Sequence, residues 1–206
     1  VAPAYLLQAR LAARADARRA GEAVRALDEE AGRFATVAEY RLRAHRCETD
    51  RLARLMAVIR SGEAADEAER AAPIMPMPIV TLWSDATRAV VARHEGARAV
   101  NRYDSLRLLA QMIAERQRRL EDQWADFRLL GAESRSPENR ADLALAAARA
   151  SGLLAMIDMN AGNVGQYAPD ARPDERALAA LADMDHPCAA VARVPVAGPN
   201  LQTSGR

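Results

Sequence analysis

The longest pattern in this chain is a seven-residue repeat of apolar side chains. The repeat positions are Val24, Leu27, Ala31, Phe34 and Ala38, and, after a polar interruption, Leu52, Leu55 and Ile59. The surrounding residues are mostly Ala, Arg, Leu and Glu, which favour helices, and Pro3 is the only proline before residue 73. Because this period places the apolar residues on one helix face, the pattern predicts one very long helix at about residues 4–70 that needs partner helices.

The rest of the chain predicts four shorter helices, because apolar residues recur at helical spacing between breakers. These helices cover residues 84–95, 103–130, 137–159 and 173–185. Three prolines predict an extended crossover at 73–83, and no stretch alternates with a two-residue period long enough for a strand. The predicted fold class is all-α: an elongated antiparallel helical hairpin or bundle of about five helices, forming a single domain at 1–185 with a flexible tail at 186–206.

Local breakers and capping residues set three of these boundaries. Gly96 predicts a turn that continues to Asn101, so that the next helix begins at 103. Ser136, followed by proline at 137 and glutamate at 138, is a strong helix start because its hydroxyl can cap the first turn. The sequence Asn160-Ala161-Gly162-Asn163 predicts the end of that helix.

Composition excludes several classes of protein. Aromatic residues make up 4% of the chain, so its core must be built from Leu, Ala, Val, Met and Ile. The net charge is +1, with 29 basic and 28 acidic residues, and we therefore predict no nucleic-acid partner. The sequence has no run of about twenty apolar residues. A membrane role would therefore require an anchor that is not present in this sequence.

The polar interruption of the repeat is the one candidate site. Arg41, His45 and Glu48 are spaced by four and three residues and therefore share a helix face. A carboxylate one turn from an imidazole can act with it as a proton switch, or the layer can meet a small acidic ligand. The other interpretation is that the layer sets the register of the bundle or marks where the helix leaves its partners. We favour this structural role, because one helix supplies no converging second group.

The two cysteines, Cys47 and Cys188, leave two alternatives open. In an oxidising compartment they can form a disulfide that fastens the tail to the first helix, and in a reducing one they stay free. Each cysteine follows a histidine by two residues, His45 and His186. Helix positions two apart point about 200° from each other, so His45 and Cys47 cannot easily hold one ion. The other pair lies in the predicted tail, and we predict no metal site, no cofactor and no catalytic residue.

One resemblance covers about residues 4–130. The order Ala4-Tyr5-Leu6-Leu7 before a long Arg/Glu helix, then Trp83-Ser84-Asp85, then His94-Glu95-Gly96 before a second long helix, resembles uncharacterised bacterial inner-membrane proteins. Those proteins have a single membrane span and an extracytoplasmic helical domain. The resemblance implies an anchor upstream of Val1, a place in the bacterial cell envelope in preference to the cytoplasm, and no known activity.

The sequence therefore predicts a non-enzymatic helical scaffold or protein-interaction domain. Its expected partner is another protein or a second copy that packs on the long helix. The alternative is a ligand- or pH-sensing bundle that uses Arg41, His45 and Glu48. A predicted helix at 103–130, with a rise of about 1.5 Å per residue, covers only part of the much longer first helix. One end of the first helix must therefore project, meet a second copy or run toward a membrane.

Overall fold

The computed structural model of the chain describes residues 2–63, 65, 70–73, 81–129, 136–184 and 186–190. This part of the chain is an all-α bundle with five helices and no strand. The helices are α1 (Ala2–Ser61), α2 (Asp85–His94), α3 (Gly96–Ala125), α4 (Pro137–Tyr167) and α5 (Glu175–Ala182), and a 3-10 turn at Asp126–Leu129 extends α3. The predicted fold class and the very long N-terminal helix are confirmed.

The long helix α1 is the axis of the bundle, and each of the other helices packs on it. Successive helices alternate in direction. Helix α2 runs antiparallel to α1, and α3 runs parallel to α1. Helix α4 runs antiparallel to both α1 and α3, and the short α5 again follows the direction of α1. Residues 5–14, near the N-terminal end of α1, are exposed.

Side-chain caps fix where three helices begin. The Ser84 hydroxyl accepts a hydrogen bond from the Thr87 amide at α2, and the Ser136 hydroxyl accepts one from the Asn139 amide at α4. At α5 the Asp174 carboxylate accepts hydrogen bonds from two amides of the first turn. Such caps satisfy amide groups that have no partner inside the helix. The predicted start at Ser136 and the predicted helix boundary at residue 84 therefore agree with the structure, and α5 begins two residues later than the sequence suggests.

The apolar repeat forms the buried face of α1. Its buried positions are Leu27, Ala31, Phe34, Ala38, Leu52, Leu55 and Ile59. The facing surfaces come from α3 and α4, and the main side chains there are Leu106, Leu109, Ile113, Leu120, Trp124, Leu143, Ala147, Leu154 and Ile157. Removing such side chains from water is the main source of stability of a helical bundle. The local period of the sequence was sufficient to identify this core.

The end of α1 differs from the predicted boundary. The helix ends at Ser61, because Gly62 adopts a φ of +75°, instead of continuing to residue 70. A positive φ ends the helix without strain only at a residue that lacks a Cβ. Pro73 and residues 81–83 are non-helical, whereas 74–80 of the predicted crossover lie outside the described residues.

Helices α3 and α4 are both longer than the sequence suggests. The predicted turn from Gly96 to Asn101 is a single-residue break, because Gly96 takes a φ of +80° and α3 begins there, with Val100 already buried. The predicted stop at residues 160–163 lies inside α4, which continues to Tyr167. Asn160 and Val164 are buried there, so packing against α1 outweighs the low helix propensity of Asn and Gly.

The start of the predicted tail is packed onto the bundle. Helix α5 ends at Ala182, and Cys188 and Ala189 beyond it are fully buried. Residues 186–190 are therefore part of the folded domain and not of a flexible tail. The remainder of that prediction, 191–206, lies outside the described residues.

Candidate functional site

Charged side chains lie on the buried face of α1, in the interruption of its apolar repeat. Arg41 and Glu48, two of the three predicted residues, are buried, and so is Arg51. His45 is different, because its side chain remains 48% exposed at the edge of the bundle. A buried charge is stable only when it has a partner of opposite charge or several hydrogen bonds. The structure supplies those partners in two separate clusters.

The first cluster joins α1 to α4. The Asp158 carboxylate, which is 10% exposed, has one oxygen 2.8 Å from Arg41 Nε, and its other oxygen contacts His45 Nδ1. Asp158 thus bridges a buried guanidinium and a half-exposed imidazole. The partner of His45 is this aspartate on α4 and not Glu48, its neighbour on α1. Sequence reasoning missed Asp158 because nothing local connects residue 158 to residue 45.

The second cluster joins α1 to the segment after α5. Arg51 Nη1 donates a hydrogen bond to Glu48 Oε2 at 2.7 Å and lies 3.1 Å from His186 Nε2. Arg51 Nη2 donates to the carbonyl of Ala71, and the guanidinium lies 5.6 Å from the centre of the Trp124 ring. The Glu48 carboxylate, the Ala71 carbonyl and the Trp124 ring each stabilise the buried Arg51 charge.

Burial sets the protonation tendencies of this second cluster. Burial raises the pKa of Glu48, and the positive charges of Arg51 and Arg41 oppose that rise. Burial and the nearby Arg51 charge together lower the pKa of His186 to about 4. A neutral imidazole beside the Glu48 and Arg51 pair leaves the cluster without net charge. The one local signal for Arg51 is its position three residues after Glu48, on the same helix face.

A disulfide fastens the second cluster in place. The sulfurs of Cys47 and Cys188 are bonded, with their Cα atoms 5.7 Å apart. This bond holds the segment with His186 against α1, and the Cys188 amide donates a hydrogen bond to His186 Nδ1 at 3.1 Å. The ligand atoms of Glu48, His186 and Cys188 all lie within 4.8 Å of one another. The histidine and cysteine that the sequence assigned to a tail are thereby brought to a carboxylate of α1.

A third group of polar contacts, at the opposite end of the bundle, holds α2 and α3 on α1. The Tyr103 hydroxyl donates to Asp28 at 2.7 Å, and the indole of Trp83 donates to Asp104 at 2.7 Å. Burial and the hydrogen bond to Asp28 raise the pKa of Tyr103 to about 12. The indole hydrogen bond lowers the pKa of Asp104. These side chains are paired with one another, and we assign them a structural role.

An open surface cleft lies between α1, the start of α3 and the end of α4. Its volume is about 530 Å³, and its lining includes Arg98, Tyr103, Tyr167 and Asp170. Glu95, Arg98 and Asp170 of the lining are exposed, whereas Arg102 is half-buried and ion-paired with Asp28. Small-molecule sites are usually more apolar and more enclosed than this cleft. The predicted residues Arg41, His45 and Glu48 are not in its lining.

The N-terminal arm, residues 5–19, is the most exposed part of α1. Its large apolar side chains are Tyr5, Leu6, Leu7 and Leu11, which are 72%, 59%, 60% and 55% exposed. Four arginines and one aspartate give the arm a net charge of +3. Its contact with the bundle is through Asp16, whose carboxylate lies 3.3 Å from Arg93 and 3.4 Å from His94.

Comparison with known proteins supplies no family for this chain: it matches no protein-family model, and neither a curated protein nor a solved structure is detectably similar to it. Among the described residues, none of the helices combines the length and apolar character needed to cross a membrane.

Proposed function

We propose that the protein is a non-enzymatic helical interaction domain whose N-terminal arm binds a helix of a partner protein. The observation that carries this proposal is the exposure of Tyr5, Leu6, Leu7 and Leu11 on one short stretch of α1. Isolated exposed leucines are common, but a cluster of large apolar side chains on a projecting helix is typical of a docking surface. A partner helix that covered these side chains would remove them from water.

The positive charge of the arm indicates that its partner is acidic. A net charge of +3 on residues 5–19 would repel the arm of a second copy lying beside it. An acidic partner helix, with carboxylates flanking an apolar stripe, would instead pair with Arg10, Arg14 and Arg18. We therefore propose a different protein as partner and not self-association through the arm.

The buried clusters support a non-enzymatic role. Glu48 and Arg51 have side chains only 1% exposed, and each is already engaged in an ion pair with the other. A catalytic group must reach its substrate, directly or through one water. In the described part of the chain these charges face each other and the core, so their arrangement is that of a structural network.

A place in the bacterial cell envelope is part of the same proposal. Its support is the bond between Cys47 and Cys188, because disulfides persist in oxidising compartments and are rare in the cytosol. The resemblance of residues 4–130 to anchored envelope proteins points in the same direction. An anchor upstream of Val1 would place the arm next to the membrane, where a partner helix could reach it.

Photo-crosslinking tests the proposed docking surface. A photoreactive amino acid replaces Leu11 in one variant and Leu108 of α3 in another; these leucines are 55% and 57% exposed, a matched pair. We expect a discrete crosslinked protein from position 11, none from position 108, and loss of the product when Leu7→Arg is added. Equal products from both positions would refute the proposal, and a product of twice the chain mass would show a second copy instead.

A second candidate function, pH sensing, is favoured by the cluster of Asp158. A half-exposed imidazole, that of His45, contacts a carboxylate that also holds the buried Arg41. Loss or gain of a proton at an exposed imidazole would thus be transmitted to a buried ion pair. Thermal melts of the wild type and His45→Ala between pH 5 and 8 test this candidate. Melting temperatures that do not change with pH in either protein would eliminate it.

A further inference from the structure

We propose that Cys47 and Cys188, in their reduced form, bind a zinc ion together with His186 and Glu48. The segment after α5 would then be linked to α1 in one of two ways, by the disulfide or by the zinc ion. This site is separate from the N-terminal arm and does not depend on the function proposed for it.

The geometry of the cluster carries the proposal. One ligand atom each from Glu48, His186 and Cys188 already lies within 4.8 Å of the others, and Cys47 is bonded to Cys188. In a tetrahedral zinc site with metal-ligand distances near 2.0 to 2.3 Å, the ligand atoms lie roughly 3.4 to 3.8 Å apart. For these three ligand atoms, closing around an ion requires movements of about 1 Å, and the sulfur of Cys47 must in addition move away from that of Cys188 once their bond is broken. Two sulfurs, one imidazole and one carboxylate make four ligands, the number that zinc prefers.

An unpaired carboxylate oxygen provides an independent second observation. Glu48 Oε1 is buried and has no hydrogen-bond partner among the described residues, whereas Oε2 receives the hydrogen bond of Arg51. Oε1 lies 3.8 Å from His186 Nε2. A buried polar atom without a partner is costly, and native structures usually retain one only where it has a use. A metal ion between Glu48 and His186 would satisfy this oxygen.

The buried guanidinium of Arg51 is compatible with an ion because the charges balance. In the disulfide form, the Glu48 carboxylate and the Arg51 guanidinium cancel. In the zinc form, two thiolates and one carboxylate carry three negative charges, and Zn²⁺ with Arg51 carries three positive charges. Both states are thus neutral, which a buried site requires. The same two thiolates without a metal would leave two uncompensated negative charges.

The conversion balances in atoms and electrons. A dithiol reductant gives two electrons and two protons to the disulfide, which breaks its sulfur-sulfur bond and yields two thiols and an oxidised reductant. Zn²⁺ then binds both sulfurs and displaces the two thiol protons to solvent. In the reverse direction a disulfide oxidant takes two electrons from the thiolates and two protons from solvent and becomes a dithiol, while the bond between Cys47 and Cys188 forms again and the zinc ion is released.

The first test compares zinc binding by the oxidised and reduced forms of the full chain. The oxidised protein and the protein reduced with a non-chelating phosphine are each titrated with Zn²⁺ alone in competition with a chromogenic chelator. We expect one zinc ion per reduced chain and none per oxidised chain. Co²⁺ in place of Zn²⁺ should give the visible bands of tetrahedral cobalt together with thiolate-to-cobalt charge transfer. Equal binding by the two forms, or cobalt without thiolate bands, would overturn the proposal.

The second test uses variants of the two ligands that are not cysteines. His186→Ala and Glu48→Gln should each weaken zinc binding by the reduced chain at least about tenfold, the loss seen even when a residue that merely supports a ligand is removed. His45→Ala is the matched control, because it removes a histidine next to Cys47 that is outside the cluster, and it should leave the affinity unchanged. Unchanged affinity in both ligand variants would show that the thiols bind zinc elsewhere, which contradicts the proposed site.

Circular dichroism shows whether the chain stays folded when its disulfide is reduced. We expect the reduced chain to keep its helical signal, and Zn²⁺ to raise its melting temperature. Unfolding upon reduction that Zn²⁺ does not reverse would also overturn the proposal, since the site exists only in the packed bundle.

Discussion

The N-terminal arm and the bundled part of α1 belong to one continuous helix, but they have opposite surroundings. In the arm, Leu7 and Leu11 face solvent, whereas Leu52 and Leu55 further along are buried between α3 and α4. Arginines differ in the same way, because those of the arm are exposed and Arg51 is buried and paired. The same residue types therefore have different roles depending on which other helices reach them.

This difference shows that helical pattern and burial are separate properties. The composition of α1 favours helix along its whole length, so the helix continues beyond the surface that its partners cover. The part of α1 outside the bundle forms a helix at little cost in free energy. Its apolar side chains, however, stay in contact with water. Matched substitutions in the two regions test whether they differ in energy as much as they differ in exposure.

The largest difference is expected at the buried ion pair. Arg51→Met would leave the Glu48 carboxylate buried without its partner and should lower the free energy of unfolding by about 3 to 5 kcal/mol. The same substitution in the arm, Arg14→Met, should change it by no more than about 0.5 kcal/mol. Urea unfolding of the two variants measures this contrast. Similar values for both would mean that the buried pair contributes no more than an exposed side chain.

Truncation of a leucine in each region should give the next largest contrast. Leu55 is fully buried, so Leu55→Ala should lower the free energy of unfolding by about 2 to 5 kcal/mol through lost burial and an unfilled cavity. Leu11→Ala should have an effect within about 0.5 kcal/mol, because Leu11 is exposed. Chemical denaturation checks both values. A loss above about 1 kcal/mol for Leu11→Ala would show that the arm is covered in solution.

Alkaline pH should weaken the end of the bundle nearest the arm. Tyr103 keeps its proton up to about pH 12 in the fold, whereas an unfolded tyrosine loses it near pH 10. Stability should therefore be intact below about pH 10 and fall by up to about 3 kcal/mol as the pH rises to 12. Tyr103→Phe should reduce this dependence, and Tyr40, whose pKa burial also raises, should account for part of what remains, whereas Tyr5→Phe in the arm should leave the dependence unchanged. Unfolding curves of the wild type and both variants measure this dependence. If stability fell equally with pH in all three proteins, Tyr103 would not be its source.

The smallest contrast is expected between a glycine inside α1 and the glycine that follows its last residue. Gly21→Ala, at the junction of the arm and the bundle, should stabilise the protein by about 0.5 to 1 kcal/mol, since a Cβ there meets nothing within 4 Å. Gly62→Ala should destabilise it by about 1 to 2 kcal/mol, because Gly62 has a φ of +75°. Thermal melts distinguish the signs. No gain for Gly21→Ala would indicate that the arm is not a preformed helix in solution.

The parts of the fold that were predictable from the sequence are those set by local patterns. The repeat from Leu27 to Ile59 identified the buried face of α1, and Ser136 identified the start of α4, because both signals lie within a few residues of what they determine. The continuation of α4 past Asn160 was not predictable in this way. There the packing of distant helices outweighs a local preference for a turn.

The candidate site was predictable only in part, for the same reason. Its α1 members, Arg41 and Glu48, stood out as polar residues within an apolar repeat. Their partners Asp158 and His186 are more than a hundred residues away in sequence, and no local period links them to α1. The pairing of Cys47 with Cys188 was one of two alternatives, because sequence does not reveal the distance between two cysteines.

The contacts between α1 and the segment around α5 have a consequence for the order of folding. The Asp174 amide donates to the Thr36 hydroxyl across 138 residues of chain, and Arg43 reaches Glu175 across 132. During synthesis, the middle of α1 leaves the ribosome long before these partners exist. Contacts of such wide sequence separation form slowly, because closing a long loop costs entropy before it gains any contact. The contacts of α1 with Asp174 and Glu175 therefore form only after most of the described chain has been made.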